Sequence, residues 1–275
     1  MNDVRLICLD MDGTLLADDH ATVPARNIRA LKAAAEKGAA VAIASGRAWD
    51  LLHGVHRQLP FLRYAILSNG AAVLDVERGT WICRSPMPDG ARVQLIELLL
   101  EWELPFEVYA QGKNYIQADR LETVLAAALT PEFAQVLETC SQLPADLNAA
   151  LPAGGVEKIH VFHVPDQRRE ELRQRAAAWG PLSVTTSFGS NMEFTAPGVN
   201  KGAAARALCA RMGWTADQVM AFGDAGNDLE LLSWAGWSFA MANASEPAKR
   251  VARHLTASNG EAGVAQGVER YFLET

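Results

Sequence analysis

Short apolar runs that stop abruptly at polar or glycine residues recur along this chain of 275 residues, and most are followed by a stretch of helical periodicity. The first seventy residues read strand, helix, strand, helix, strand: VRLICLD, VPARNIRALKAAAEKG, AAVAIASGR, WDLLHGVHRQL and YAILSNG. Strands that are apolar on both faces and alternate with helices belong to a parallel sheet covered on both sides. The predicted fold is therefore α/β, with a Rossmann-like parallel sheet as its core. In such a sheet ligands bind at the carboxyl ends of the strands, where DMDGT, SGR and SNG fall.

The rhythm breaks after AAVLDVERGTWICRSP, which reads as a hairpin turning at Arg78-Gly79. From there to residue 188 helices (ARVQLIELLLEWE, LETVLAAAL, DQRREELRQRAAAW) mix with strands (FEVYAQGKNYIQA, VEKIHVFHV, LSVTTS). NMEFTAPG, QVMAFGD and WSFAMAN then resume the α/β pattern. The expected organisation is a core of residues 1–83 and 189–275 interrupted by an α+β domain of residues 84–188.

With 25 Lys+Arg against 32 Asp+Glu, a net charge of −7 and no dense basic run, the composition argues against nucleic acid or an acidic membrane as partner. No apolar stretch reaches transmembrane length, and the N-terminus lacks a basic, cleavable leader pattern. Cys8, Cys83, Cys140 and Cys209 match no metal or CxxC spacing, and they read as buried, reduced thiols of a cytoplasmic protein. The sequence leaves the oligomeric state open.

Two carboxylates, Asp10 and Asp12, close the first strand, and alternation along a strand would project them into one small space. Such crowding points to a metal site or an acid/base pair, against the alternative of a solvated turn. A second cluster, Asp224 and Asp228 in GDAGNDLELL, ends a later strand of the same core. A hard cation with oxygen ligands accounts for four such carboxylates, and Mg²⁺ suits a site that also accepts a phosphate oxygen. Ser45 in ASGR and Lys201 in VNKG offer a hydroxyl donor and a cation for phosphoryl oxygens. Each has a plainer alternative: Ser45 as a helix cap, Lys201 as a solvated lysine, Asp228 as an N-cap.

DMDGT, ASGR, VNKG and GDAGND, in that order, resemble the four motifs of the haloacid dehalogenase-like phosphatases. The insert, SNGA and MANA resemble their Cof-like type IIB sugar-phosphatase branch. The resemblance implies Asp10 as the nucleophile that forms an aspartyl-phosphate, and Asp12 as the acid for the leaving alcohol and the base for water. It implies Mg²⁺ held by the Asp10 carboxylate, the Asp12 carbonyl and Asp224, with Asp228 bound through water or standing behind. Ser45, Gly46 and Lys201 would bind the phosphoryl group, while Arg47, Asn69, Asn227 and Asn243 would contact substrate or support the aspartates. The inserted domain would act as a cap. A carboxylate two residues after the nucleophile favours phosphate esters over carbon–halogen bonds, because only an alkoxide needs a proton. The implied substrate is a small phosphorylated metabolite, sugar phosphates first; a phosphosugar mutase and a noncatalytic phosphosugar-binding regulator are the alternatives. Two departures from the family pattern, Ala242 in MANA and Gly260 in TASNGEAGVA, bear on substrate preference.

Overall fold

The computed structural model describes residues 3–186 and 189–274. In chain order the strands are β1 (Leu6–Leu9), β2 (Ala40–Ala44), β3 (Tyr64–Leu67), β4 (Ala72–Asp75), β5 (Thr80–Arg84), β6 (Phe106–Ala110) and β7 (Lys113–Tyr115), then β8 (Val156–Val161), β9 (Ser183–Thr185), β10 (Met192–Thr195), β11 (Val219–Gly223), β12 (Trp237–Ala240) and β13 (His254–Leu255). They form two sheets, and the chain separates into two compact units. One unit comprises Met1–Gly46, Leu52–Cys83 and Asn200–Thr275; the other comprises Arg47–Leu51 and Arg84–Val199.

The sheet of the first unit has the order β13-β12-β11-β1-β2-β3-β4-β5. Every pairing from β13 to β3 is parallel, and β4 returns antiparallel on β3. The chain winds outward from β1 through β2 and β3, and later from β11 through β12 and β13, so the winding reverses between β1 and β11. That reversal opens a crevice at the strands' carboxyl ends. Leu9 pairs with Ile43 on one side and Phe222 on the other, which starts Asp10, Ser45 and Asp224 from nearly one line across the sheet. Small and branched residues allow the helix Lys201–Met212 to lie close: Leu6, Cys8, Ala42, Ala44, Ala205 and Leu208 share one dry cluster.

The second unit holds the five-stranded sheet β7-β6-β8-β10-β9, whose registered pairs are antiparallel. One face is apolar: Phe106, Val108, Ile159, Val161, Met192 and Phe194 pack with Leu95, Leu99, Leu172 and Ala176 of the helices Asp89–Glu101 and Asp166–Trp179. The alternate positions of the same strands carry Glu107, Tyr109, Lys158, His160 and Glu193.

The structure departs from the sequence reading in four places. FEVYAQGKNYIQA is a hairpin of β6 and β7, turned by Gln111 and Gly112 at positive φ, rather than one strand. NMEFTAPG does not return to the core: β10 is bonded to β8 and β9, and the second unit runs to Val199. The expected boundary residue 188 itself lies outside the described residues. Arg47–Leu51, read as core, groups with the second unit, where Ala48 and Leu51 pack with Tyr109, Val124 and Leu137. Of the four thiols only Cys8 and Cys209 are buried; Cys83 and Cys140 are half-buried, and all four are free.

Candidate active site

At the end of β1 the chain stays extended through Asp10 (φ −65°, ψ 161°), whose N–H donates to the Phe222 carbonyl at 3.0 Å. It then turns sharply, with Gly13 at φ +79°. A β-carbon on Gly13 would lie 2.6 Å from Asp224 Oδ2, so glycine is what admits the second acidic loop. Thr14 fastens that loop by donating its hydroxyl to Asp224 Oδ1 at 2.9 Å. From the far side, Asn243 Nδ2 donates to the Gly13 carbonyl at 2.8 Å.

The GDAGND loop closes on itself in the same way. Asp228 Oδ2 accepts from the N–H groups of Asp224 (3.0 Å) and Ala225 (3.1 Å), and a β-carbon on Gly223 would lie 2.7 Å from the Asp228 side chain. Asp228 is thus both a loop cap and a member of the acidic cluster. Lys201 opens the helix Lys201–Met212, which Asn200 caps by accepting from the Ala203 N–H at 2.7 Å. Its ammonium donates to Asp10 Oδ1 at 2.5 Å and to Asp228 Oδ1 at 2.7 Å, fully buried. Ser68-Asn69-Gly70, all at positive φ, presses on this segment: a β-carbon on Gly70 would lie 2.3 Å from the Asn200 carbonyl oxygen.

One carboxylate oxygen of each of Asp10, Asp224 and Asp228 lies within 4.8 Å of the others, the one such group among the described residues. Burial pushes the Asp10 carboxyl well up, Asp228 adds to the shift, and Lys201 opposes it. Asp224 is pushed up to about 6, first by burial and then by Asp228, against the hydrogen bond from Thr14. Burial would lower Lys201, but Asp10 and Asp228 outweigh it and hold the amine protonated. Three carboxylates against one ammonium leave two negative charges in excess when all are ionised. A hard divalent cation with oxygen ligands supplies the missing charge, so the donor set fits Mg²⁺.

Asp12 stands apart from this cluster. The strand ends at Leu9, so strand alternation does not carry through to Asp12, which is not one of the three clustered carboxylates. Asp12 Oδ1 instead meets His20 Nδ1 at 2.8 Å, and its side chain is 20% exposed. The two aspartates of the motif therefore differ in surroundings: Asp10 is buried against Lys201, and Asp12 is partly exposed beside His20.

The other expected residues divide between the units. Asn69, 4% exposed, donates its N–H to the Ser45 carbonyl at 3.0 Å and accepts from Asn227 Nδ2 at 3.3 Å, tying the ends of β2, β3 and β11 together. Ser45 is buried at the end of β2, and Gly46 is the last residue of that segment of the first unit. Arg47 lies in the second unit, with its guanidinium 4.7 Å from the Phe133 ring centre, buried rather than solvated. Ala242 is exposed, and Gly260 has open space around its α-carbon with no positive φ. Sequence reasoning missed Thr14, His20 and Asn259. Thr14 sat in the DMDGT motif unassigned; His20 and Asn259 carry no spacing signal, since both act through tertiary hydrogen bonds.

The sequence profile of the haloacid dehalogenase-like hydrolases matches residues 7–268. The chain belongs to that family. Among curated members of the family it is 26% identical over 271 residues to the 5-amino-6-(5-phospho-D-ribitylamino)uracil phosphatase YcsE of Bacillus subtilis, covering 98% of this chain and 97% of the relative. It is 28% identical to the pyridoxal phosphate phosphatase YbhA of Escherichia coli over 98% of this chain and 99% of that one. Its fold matches that of a HAD/COF-like hydrolase from Plasmodium vivax with a TM-score of 0.83, 27% identity and coverage of 100% of this chain and 97% of the other. No helix among the described residues of this hydrolase is long and apolar enough to cross a membrane.

Proposed function

We propose that this hydrolase is a Mg²⁺-dependent phosphatase of small phosphorylated metabolites, sugar phosphates foremost, working through an aspartyl-phosphate on Asp10. The observation that carries the reading is the contrast between Asp10 and Asp12. A nucleophile needs a fixed, charge-stabilised carboxylate; an acid/base needs a carboxyl that reaches the leaving oxygen. Asp10, bound by Lys201 in the buried cluster, suits the first role, and the partly exposed Asp12 suits the second. The two curated relatives are phosphatases with unlike leaving groups, a ribityl-uracil and a pyridoxal, which supports common phosphoryl chemistry with a variable alcohol.

The steps follow from these placements. Asp10 attacks phosphorus and the ester P–O bond breaks, with the Asp12 proton passing to the departing alkoxide. Asp12, now a carboxylate, takes a proton from the water that attacks the aspartyl-phosphate, and phosphate leaves with Asp10 restored. Lys201 holds the nucleophile in place and, with Ser45 and Gly46, faces the phosphoryl oxygens. The Asp10 and Asp224 carboxylates and the Asp12 carbonyl would hold Mg²⁺, with Asp228 behind, and the cation would supply charge to offset the phosphoryl group's. The test is phosphate release from sugar phosphates, nucleotides and p-nitrophenyl phosphate with Mg²⁺ or EDTA. Expected is metal-dependent turnover that falls at least about 10³-fold in Asp10→Asn; turnover surviving in that variant removes the nucleophile assignment.

A further inference from the structure

We infer that His20 is the positioning residue of Asp12: its ring holds one carboxyl oxygen and so orients the carboxyl group that gives its proton to the leaving group. The inference rests on the phosphatase reading above and assigns a residue which that reading does not use.

His20 Nδ1 lies 2.8 Å from Asp12 Oδ1. With Nδ1 protonated the ring donates to Oδ1, and this sets the torsion of the carboxyl group. A bond of this kind between two partly exposed side chains (23% and 20%) is ordinarily worth little. Here the chain is built to hold it. His20 sits at φ +55°, a conformation that residues with a β-carbon seldom adopt. The turn that imposes it is tight: Ala17 N–H donates to the Thr22 carbonyl at 2.9 Å, His20 N–H to the Ala17 carbonyl at 3.0 Å, and Asp19 Oδ1 accepts from the Ala21 and Thr22 N–H groups at 3.0 and 2.8 Å.

The turn is in turn anchored to the DMDGT segment. Asn259 Nδ2 donates to the Leu16 carbonyl at 3.1 Å and to Asp18 Oδ1 at 2.9 Å. Its N–H donates to Asn243 Oδ1 at 3.2 Å, and Asn243 holds the Gly13 carbonyl. Two asparagines therefore clamp both the turn that bears Asp12 and the turn that bears His20, and the His20–Asp12 distance follows from that frame. In the first step the ester oxygen takes the Asp12 proton as the P–O bond breaks and the bond from the Asp10 carboxylate oxygen to phosphorus forms.

The leaving group provides the test. Departure of an alkoxide requires the Asp12 proton, whereas p-nitrophenolate departs without one, and kcat/KM reports only steps up to that departure. His20→Ala and His20→Asn are compared with the wild type on the best sugar phosphate and on p-nitrophenyl phosphate, both with Mg²⁺. Asparagine places an amide N–H where Nδ1 stood and tolerates the positive φ, so it keeps the donor without the imidazole. Expected in His20→Ala is a fall in kcat/KM of about tenfold or more on the sugar phosphate and less than about twofold on the aryl ester, with at least half of the loss recovered in His20→Asn. Equal losses on both esters, no loss on either, or His20→Asn as impaired as His20→Ala overturns the inference. Wild-type protein with no Mg²⁺-dependent turnover of either ester defeats the phosphatase reading instead.

Discussion

The two units bury charge in contrasting ways. In the second, each buried carboxylate has its own donor: Lys158 Nζ meets Glu193 Oε1 at 2.5 Å, Arg84 Nε meets Glu157 Oε1 at 2.8 Å, and Glu107 Oε1 meets both the Tyr109 hydroxyl (2.6 Å) and His160 Nδ1 (2.8 Å). In the first, the Lys201 ammonium bridges Asp10 and Asp228, while Asp224 in the same cluster accepts from the Thr14 hydroxyl. One donor set per carboxylate specifies a sheet face, with Glu107 Oε2 the one oxygen of these three carboxylates that lacks a hydrogen bond; an excess of carboxylates persists only where something else completes it. On the proposed reading the contrast is one between charge used for structure and charge held ready for a ligand.

Removing the lysine from each network tests that distinction most strongly. Lys201→Met takes the ammonium from Asp10 and Asp228, and Lys158→Met takes one from Glu193. Both variants are expected to lose about 3–5 kcal/mol of stability in EDTA, the usual cost of breaking a buried pair. On the proposed reading the cation binds that same cluster, so Mg²⁺ should return much of the loss in Lys201→Met, and none beyond the wild-type response in Lys158→Met. Thermal melts of both variants with EDTA and with Mg²⁺ decide it; equal rescue, or none in either, breaks the comparison.

A smaller effect is expected from pH. Asp224 is raised to about 6 in the folded protein, mainly by burial and then by Asp228. A carboxyl raised by folding favours the folded state while protonated, so its contribution is full below about pH 4 and is lost as pH rises through about 6. Glu157 in the second unit is raised too, by burial against the pull of Arg84. Mg²⁺ would separate the two: bound as proposed, it would hold Asp224 ionised and leave Glu157 alone. The difference between melting temperatures with and without Mg²⁺ should grow from pH 5 to pH 7 by about 4 °C, and a constant difference would place the metal elsewhere.

What the sequence made legible follows the same division. Strand-end aspartates can be read because strand and glycine turn fix their positions locally: Asp10, Asp224 and Asp228 meet as neighbours of β1 and β11. The separate surroundings of Asp12 could not be read, because they depend on where β1 stops and on a histidine eight residues later. The second unit was least legible. β10 reads like a core strand, yet its partner β8 lies about thirty residues away, and only the ladder reveals it. The polar face of that sheet is likewise invisible before Glu107, His160 and Glu193 are placed in register.

The smallest expected effect concerns two asparagines that each hold one turn. Asn243 donates to the Gly13 carbonyl and accepts from Asn259; Asn114, fully buried in the second unit, donates to Ser141 Oγ at 2.8 Å. Either alanine variant should lose about 1 kcal/mol, the ordinary worth of such a bond. Their consequences for the metal should differ. Gly13 is the residue against which Asp224 packs, so loosening its carbonyl relaxes the approach of one implied metal ligand to another. Asn243→Ala should therefore need several-fold more Mg²⁺ for half-maximal phosphate release, while Asn114→Ala follows the wild-type Mg²⁺ curve. Coincident Mg²⁺ curves for all three proteins would mean that the frame around Gly13 supports the fold alone, and that charge by itself prepares the acidic cluster for its cation.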